Sequence, residues 1–221
     1  MRIAIVGGNG QIARLLHPLL VKAGHQPVAL ARKEEYRADL ESLGAERRLL
    51  DLENADDAAW DAALEGADAV VFAAGGGGDG SIERKKTVDL GGSLGAIAGA
   101  TRLGIRRFVQ ISAIGVDRPA DPDLGEVWAA YVAAKRDADV ALRQSELDWT
   151  VLRPGRLTDD AATGLVDLGP EAQRGDVTRA DVAATVAALL ERDETIGRQW
   201  NVVGGETPVA EAVDAALAAD S

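Results

Sequence analysis

Tyr131 and Lys135 are the two side chains of this sequence whose types and spacing are best suited to proton transfer. They lie four residues apart in a segment of helical periodicity, so they share one face of a helix. A lysine ammonium beside a phenol stabilises the phenolate, and the spacing therefore predicts a lowered pKa for Tyr131. Such a tyrosine would exchange a proton with a carbonyl or an alcohol near neutral pH. The alternative is a half-buried tyrosine packed on the stem of a surface lysine.

A glycine-rich turn, VGGNGQIA at residues 6–13, joins the first predicted strand to the first predicted helix. Gly7, Gly10 and Ala13 fit G-x-x-G-x-x-A, and Gly8, Gly10 and Ala13 fit G-x-G-x-x-A. In dinucleotide sites these small residues permit a tight turn, close approach to a pyrophosphate and close packing of helix on strand. The helix N-terminus then presents free N–H groups to the phosphates. The position between strand and helix predicts a dinucleotide site, and the alternative is a tight turn without a ligand.

The end of the second predicted strand bears on which nicotinamide cofactor would bind. In NAD-specific sites an Asp or Glu about 20 residues beyond the glycines accepts a hydrogen bond from the adenosine ribose. Here Arg32 and Lys33 occupy that place, and an arginine pairs well with a 2′-phosphate. The sequence therefore favours NADP(H) over NAD(H), although a solvated basic pair at a strand end is the other interpretation. By its position after the third strand, Asp51 would lie near the adenine.

The composition argues against several other classes of function. The formal net charge is −12, and such an acidic surface repels nucleic acids and anionic lipid headgroups. There are no cysteines and only two histidines, His17 and His25, so we expect neither disulfides nor a metal centre. The opening residues MRIAIVGG predict a strand rather than a signal peptide, and no segment approaches a membrane span. We therefore expect a cytoplasmic protein that acts on a small molecule.

Predicted strands and helices alternate along almost the whole chain. Apolar runs predict seven strands, at residues 2–6, 27–31, 46–50, 68–73, 106–111, 149–152 and 200–203. This alternation predicts an α/β fold with a doubly wound parallel sheet of Rossmann type, in one domain over residues 1–221. A glycine-rich loop is expected at 75–80, and loops at 113–124 and 154–170 would form the substrate side. Asp181 is expected to cap a helix that runs to Arg192.

Several segments together resemble the atypical short-chain dehydrogenase/reductase family. Besides the glycine turn they are RRFVQIS (106–112), YVAAK (131–135), LDWTVLRPGRLTDD (147–160) and VTRADVA (177–183). The resemblance covers essentially the whole chain. It is closest to the small NAD(P)H-binding proteins that are NmrA-like, biliverdin- or flavin-reductase-like, or named NAD-dependent epimerase/dehydratase. It implies a seven-stranded sheet with NADP(H) at the carboxyl ends of the strands.

The same resemblance implies which residues contact the cofactor. A first group would touch the pyrophosphate: Gly7, Asn9, Gly10, Gln11 and Ile12. A second group would bind the adenosine half, with Arg32 on the 2′-phosphate and Asp51 and Leu52 around the adenine. A third group would line the ribose and the nicotinamide amide: Ala73, Ala74, Gly75, Pro154 and Gly155.

Its active-site positions match Ser112, Tyr131 and Lys135, and Lys135 would also hold the nicotinamide ribose. The chain departs from the family where Ala113 and Ile114 follow Ser112, because the catalytic serine is often one of those next residues. Two functions therefore stay open. One is an NADP(H)-dependent oxidoreductase or epimerase-like enzyme, with Tyr131 as acid/base and Ser112 as donor to a small carbonyl or conjugated-ring substrate. The other is a non-catalytic NADP(H) sensor. The sequence identifies neither the substrate nor whether the protein is a monomer or a homodimer.

Overall fold

Seven segments of the chain form the parallel part of one central sheet. In the computed structural model, which describes residues 1–77 and 81–220, they are β1 (Arg2–Val6), β2 (Gln26–Ala31), β3 (Glu46–Leu49), β4 (Ala69–Phe72), β5 (Arg107–Ile111), β6 (Asp148–Pro154) and β10 (Arg198–Gly204). Their order across the sheet is β10-β6-β5-β4-β1-β2-β3. The predicted Rossmann-like parallel sheet is therefore confirmed. Part of the expected glycine loop, 78–80, lies outside the described residues.

The remaining strands lie in the last third of the chain: β7 (Arg156–Thr158), β8 (Leu165–Gly169), β9 (Asp176–Thr178) and β11 (Thr207–Pro208). β8 runs antiparallel to β10 and β11 pairs with β8, so the main sheet has nine strands, while β7 and β9 form a separate parallel pair. The expectation that 154–170 is a loop is wrong for β7 and β8. The sequence of β8, LVDLG, places exposed Asp167 between buried residues, so it lacks the continuous apolar run of the central strands.

Helices cover both faces of the sheet: α1 (Gln11–Lys22), α2 (Arg37–Ser42), α3 (Asp57–Leu64), α4 (Ile82–Arg84), α5 (Gly92–Leu103), α6 (Gly125–Arg143), α7 (Arg179–Leu190) and α8 (Val209–Ala219). A π-helical segment, Lys85–Gly91, connects α4 to α5. Residues of α1, α7 and α8 build the core on one face, and those of α3, α5 and α6 build it on the other. Among the described residues, no helix is both long and apolar enough to cross a membrane.

The central strand β1 contributes to both cores. Ile3 and Ile5 face α1 and α7, whereas Ala4 and Val6 face α3 and α5, and all four are inaccessible to solvent. A parallel strand buried on both faces has an uninterrupted apolar sequence, which explains why its bounds could be predicted. Burial of an isoleucine side chain stabilises the fold by about 1.5–3 kcal/mol.

The chain leaves β1 in two directions across the sheet. β2 and β3 lie on one side of β1, and β4, β5, β6 and β10 lie on the other. In open α/β sheets, ligands bind outside the carboxyl ends of the strands at such a point of reversal. The topology therefore brings the glycine turn after β1 to the place where a ligand is expected.

Candidate functional site

An open cleft lies outside the carboxyl ends of β1, β2 and β4. Nine of the residues predicted to contact the cofactor line it: Gly7, Asn9, Gly10, Arg32, Asp51, Leu52, Ala73, Ala74 and Gly75. Gln11 and Ile12 begin α1 directly beyond the turn. The other predicted site residues, Ser112, Tyr131, Lys135, Pro154 and Gly155, are not part of this lining. The structure thus brings the residues predicted for the pyrophosphate and the adenosine together in one cleft.

The glycine turn is shaped by close approaches of its backbone. Gly7 has a φ of +78°, and a Cβ there would lie 2.7 Å from Cα of Ala74, so a larger residue does not fit. A Cβ at Gly8 would lie 2.6 Å from Cα of Ala29 on β2. Ala13 is fully buried at the start of α1, as the close packing of helix on strand requires. The small residues of the motif therefore fit the structural roles expected of them.

The N-terminus of α1 reaches the cleft without a side-chain cap. Gly10 is the N-cap residue and has no side chain that could accept a hydrogen bond from the helix, and the first turn holds no acidic residue. The first N–H groups of a helix have no partner within the helix. Together with the helix dipole they favour an anion at this end, as the pyrophosphate prediction requires.

His17 is fully buried beneath the glycine turn, where its Nε2–H donates a hydrogen bond to the carbonyl oxygen of Gly8 over 2.7 Å. Burial lowers the pKa of His17; the bond to Gly8 opposes this shift, and the charge of Arg14 adds to it. The imidazole is therefore neutral near pH 7 and holds the turn in place. Sequence reasoning considered His17 only against a metal centre and did not connect it to the glycine turn.

Replacing His17 by glutamine is expected to reduce the loss of stability on acidification. The unfolded chain binds a proton near the ordinary pKa of 6.5, whereas the folded chain does so only at lower pH. The free energy of unfolding therefore falls as the pH drops below 6.5, by at most about 1.4 kcal/mol per pH unit for one proton. Glutamine keeps an N–H donor for Gly8 but does not titrate. Urea unfolding between about pH 7.5 and pH 5.5 measures the difference, and identical pH profiles of the two proteins would contradict it.

Arg32 directly follows β2 and lines the cleft, and in the part of the chain that is described its guanidinium makes no ion pair and no side-chain hydrogen bond. Lys33 is engaged instead, because its Nζ donates to Oε1 of Glu35 over 2.9 Å and lies 5.6 Å from the ring centroid of Tyr36. The two cations at this strand end are therefore not equivalent. Arg32 keeps its N–H donors for a ligand, whereas Lys33 is held by its neighbours.

Further side chains that sequence reasoning missed complete the adenosine end of the cleft: Tyr36, Glu53, Arg84 and Val88. Glu53 accepts a hydrogen bond from Oγ1 of Thr87 over 2.8 Å and lies 3.6 Å from Nε of Arg84. Asp51 accepts from the backbone N–H of Glu53 and from Nδ2 of Asn54, which fixes the turn after β3. The contacts of Glu53 with Thr87 and Arg84 join segments that are distant in sequence, so no local pattern indicated them.

Lys135 is buried on α6 and reaches the carboxyl ends of β4 and β5. Its Nζ donates to the carbonyl oxygens of Ala74 (3.4 Å) and Ile111 (3.3 Å), and it lies 3.4 Å from Oδ1 of Asp89. Asp89 is fully buried, and its other carboxylate oxygen accepts from the backbone N–H of Gly76 over 2.8 Å. This buried ion pair ties α6 to the segment after β4. It also places the lysine beside Ala74, which belongs to the wall of the cleft.

Tyr131 lies one turn before Lys135 on α6, but its electrostatic surroundings differ from those predicted. Its ring packs against Trp128, with the ring centroids 5.4 Å apart. Burial raises the pKa of the Tyr131 phenol, and the carboxylates of Asp89 and Asp139 raise it further. The predicted lowering of this pKa is therefore wrong, because burial and the two carboxylates raise it. Tyr131 keeps its proton at neutral pH.

Ser112 is buried directly after β5, and its hydroxyl donates to Oδ2 of Asp139 over 2.8 Å. Asp139 is fully buried one turn after Lys135 and also accepts from Gln110 (2.7 Å) and from Nε of Arg153 (2.9 Å). A serine hydroxyl has a single proton. The expected role of Ser112 as a hydrogen-bond donor to a substrate carbonyl therefore does not fit this geometry. Asp139 was missed because its partners, at the end of β5 and on β6, are distant from it in sequence.

Pro154 is the last residue of β6, and Gly155 follows it where the backbone of Gly175 passes close by. The Gly155 N–H donates to the carbonyl oxygen of Val202 over 2.9 Å, and the carbonyl oxygen of Pro154 accepts from the N–H of Ile114 over 2.9 Å. A Cβ at Gly155 would lie 2.0 Å from the carbonyl oxygen of Gly175. The glycine of this pair is therefore required by the packing of the chain on itself, whatever ligand lies nearby.

Replacing Gly155 by alanine is expected to lower the free energy of unfolding by about 1–3 kcal/mol, because two backbone segments must separate to admit the methyl group. Gly92 on α5 is a matched control, since a Cβ there would meet its nearest neighbour at an ordinary 3.5 Å. Urea unfolding compares Gly155→Ala with Gly92→Ala, and equal stability of the two variants would contradict the expectation.

The motif around residues 177–183 ties the segment before β8 to α7. Thr178, rather than Asp181 as predicted, caps α7, because its Oγ1 accepts from the backbone N–H of Asp181 over 2.9 Å. The carboxylate of Asp181 accepts from the N–H and hydroxyl of Thr163 and from the N–H of Gly164. Thr178 therefore caps the helix, and Asp181 holds Thr163 and Gly164 against its first turn.

Comparisons with known proteins agree with this geometry. The family model described as NAD(P)H-binding matches residues 7–193. A Bacillus subtilis protein named as the uncharacterized sugar epimerase YhfK is 38% identical over 214 residues, which cover 96% of this chain and 99% of that one. A solved Bacillus halodurans protein named as an NAD-dependent epimerase/dehydratase has a TM-score of 0.90 at 37% identity, covering 97% and 99% of the two chains. The oxidoreductase ylbE from Lactococcus lactis has a TM-score of 0.84 at 29% identity, covering 99% and 97%.

Proposed function

The chain belongs to the NAD(P)H-binding family, and on this premise we propose that it is an NADP(H)-dependent oxidoreductase that reduces a small carbonyl or conjugated-ring compound. The observation that carries the proposal is a pair of donor groups in one cleft to which no residue of 1–77 or 81–220 offers a side-chain acceptor. They are the guanidinium of Arg32 and the uncapped first turn of α1 after Gly10. Both favour phosphate groups, at the two positions where a 2′-phosphorylated dinucleotide carries them.

In this proposal, residues of the cleft and beside it would contact the cofactor along its length. The first turn of α1 would hold the pyrophosphate, and Asp51 and Leu52 would enclose the adenine. Lys135, already beside the carbonyl oxygen of Ala74, would donate to the nicotinamide ribose. Pro154 and Gly155 would line the nicotinamide amide. When bound, the cofactor supplies the hydride.

Tyr131 would act as the general acid of the reduction. Because its pKa is raised, the phenol is protonated at neutral pH and gives its proton to the substrate oxygen rather than taking one. The neighbouring carboxylates of Asp89 and Asp139 favour this neutral form. Ser112, whose proton is directed to Asp139, would offer the substrate only an oxygen lone pair.

Thermal unfolding in the presence of NADPH, NADP, NADH or NAD, each alone, tests the proposal. A ligand that binds only the folded state stabilises it by about 2.7 kcal/mol at a hundredfold excess over its dissociation constant. We expect the two phosphorylated nucleotides to raise the unfolding temperature more than the other two. Equal shifts with all four would contradict the preference for NADP(H). Absence of any shift would contradict the dinucleotide site itself.

A second function, a non-catalytic NADP(H) sensor, is favoured by one observation. The proton of Ser112 is directed to Asp139, so this serine has no hydrogen to donate to a substrate carbonyl. A sensor would bind NADPH and NADP with different affinities. It would not oxidise NADPH in the presence of a panel of aldehydes, ketones and quinones. Loss of NADPH absorbance with any member of the panel would support the oxidoreductase and contradict the sensor.

A further inference from the structure

A second cleft lies on the β5–β6 side of the sheet, next to the strand end that holds Pro154. Its walls come from the segment after β5 (114–118), the segment after β8 (170–174), Arg153 of β6 and two amide side chains of β10. Ile114 on its rim is bonded through its N–H to the carbonyl oxygen of Pro154. The cleft therefore adjoins the place proposed for the nicotinamide, on the side away from the adenosine.

The charges in this cleft are unusual for the molecule. Within residues 1–77 and 81–220, the arginines that make no ion pair and no side-chain hydrogen bond are Arg32, Arg118 and Arg174. Arg32 lines the dinucleotide cleft, and the other two both line the second cleft. The chain has 36 acidic residues and a formal net charge of −12, so an arginine without an acidic partner is an exception in it. Two such arginines in one concave site favour an anionic ligand.

The other charged groups of the second cleft leave these two arginines available. Arg153 is already bound to Asp117 and to Asp139. Glu171 is the remaining carboxylate of the lining, so three arginines face two acids. The amide of Asn201 donates to the carbonyl oxygens of Pro170 and Ala172 and fixes the segment that carries Glu171.

The guanidinium of Arg174 lies against Gly115, and both residues line the second cleft. Gly115 has a φ of +80°, and a Cβ there would lie 2.6 Å from Nη2 of Arg174. The glycine thus allows the guanidinium to lie directly against the backbone of the segment after β5. This contact brings the side chain of Arg174 to the same segment as Arg118.

We infer that the second cleft binds an oxyanion group, a carboxylate or a phosphate, through Arg118 and Arg174. If the proposed function holds, this oxyanion belongs to the substrate. The reducible group of the substrate would then extend toward Tyr131. The amide side chains of Gln173, Gln199 and Asn201 would bind hydroxyl groups of the same molecule. The substrate class is therefore a small polar acid or phosphate ester with a carbonyl group.

The binding test uses inorganic phosphate and succinate as probes, without any nucleotide and at constant ionic strength set with sodium chloride. The Arg32→Gln variant serves as background, because it removes the anion-binding arginine of the first cleft. Isothermal titration calorimetry is expected to detect binding of phosphate, of succinate or of both. Adding Arg118→Gln or Arg174→Gln is expected to weaken the binding by about tenfold each, the value of a charge-assisted hydrogen bond.

Arg106→Gln is the matched control. It removes the same charge, but Arg106 is paired with Asp148 at the amino ends of the strands, away from both clefts. Binding unchanged by Arg106→Gln and weakened by the other two supports the inference. Binding that is undiminished in both Arg118→Gln and Arg174→Gln overturns it, and so does a result in which neither phosphate nor succinate binds. Because no cofactor and no turnover enter the measurement, its failure is distinct from a failure to bind NADPH.

Discussion

Replacing Arg32 by glutamine is expected to raise the dissociation constant of NADPH by about 10- to 100-fold and to leave that of NADH unchanged. Among the described residues Arg32 makes no ion pair and no side-chain hydrogen bond, so the substitution is expected to remove only its interaction with the ligand. Glutamine cannot supply the charged, two-pronged donor that an arginine presents to a phosphate. Isothermal titration calorimetry with both nucleotides measures the two constants directly.

Lys33→Gln provides the matched control for this prediction. It removes the same charge from the adjacent residue, but Lys33 is held by Glu35 and lies over the ring of Tyr36. We therefore expect only a small change in the affinity for NADPH. If Lys33→Gln weakens NADPH as much as Arg32→Gln does, or if Arg32→Gln weakens NADH equally, Arg32 does not bind a 2′-phosphate.

Replacing Tyr131 by phenylalanine is expected to lower kcat for the reduction by about 10²- to 10⁴-fold, the usual contribution of a general acid. The dissociation constant of NADPH should stay the same, because no cofactor contact is assigned to the phenol. Phenylalanine also keeps the ring that packs on Trp128, so the unfolding temperature serves as a check of the fold. Steady-state kinetics with a substrate from the carbonyl screen give the result.

The raised pKa of Tyr131 adds a pH dependence to this prediction. An acid is active below its pKa, and both burial and the carboxylates of Asp89 and Asp139 move that pKa upward. We therefore expect kcat for reduction to stay level between about pH 6 and pH 9. A fall in kcat centred near neutral pH would contradict this assignment, and so would full turnover by Tyr131→Phe.

The sequence predicted those elements whose pattern is local. The seven parallel strands are short apolar runs buried on both faces, and the helices between them carry apolar residues at helical spacing. The antiparallel strand β8 was missed because it pairs with β10, more than thirty residues further along the chain, and alternates buried with exposed residues. Pairing with a strand that is distant in sequence gives so short a segment no recognisable pattern of apolar residues.

For the candidate site, residue types and spacing could be read but their electrostatic surroundings could not. Tyr131 and Lys135 share a helix face as predicted, yet the pKa of Tyr131 depends on Asp89, which lies on another element. Likewise Ser112 was recognised by its place after β5, whereas its partner Asp139 lies 27 residues away. Long-range charges decide proton affinities in a buried site, and single-sequence patterns do not contain them.

During translation the strands are synthesised in an order in which each one can pair with a strand already made, starting from β1. β2 and β3 extend one edge, after which β4, β5 and β6 extend the other, so each emerging strand meets an uncovered neighbour. Helix α1 is the exception, because its buried Leu16 and Leu20 share a core with Val182 and Val186 of α7. Nascent chains that end before α7 therefore leave uncovered the side of α1 that packs on α7. Helix α1, whose first turn faces the dinucleotide cleft, therefore completes its packing only after α7 has been synthesised.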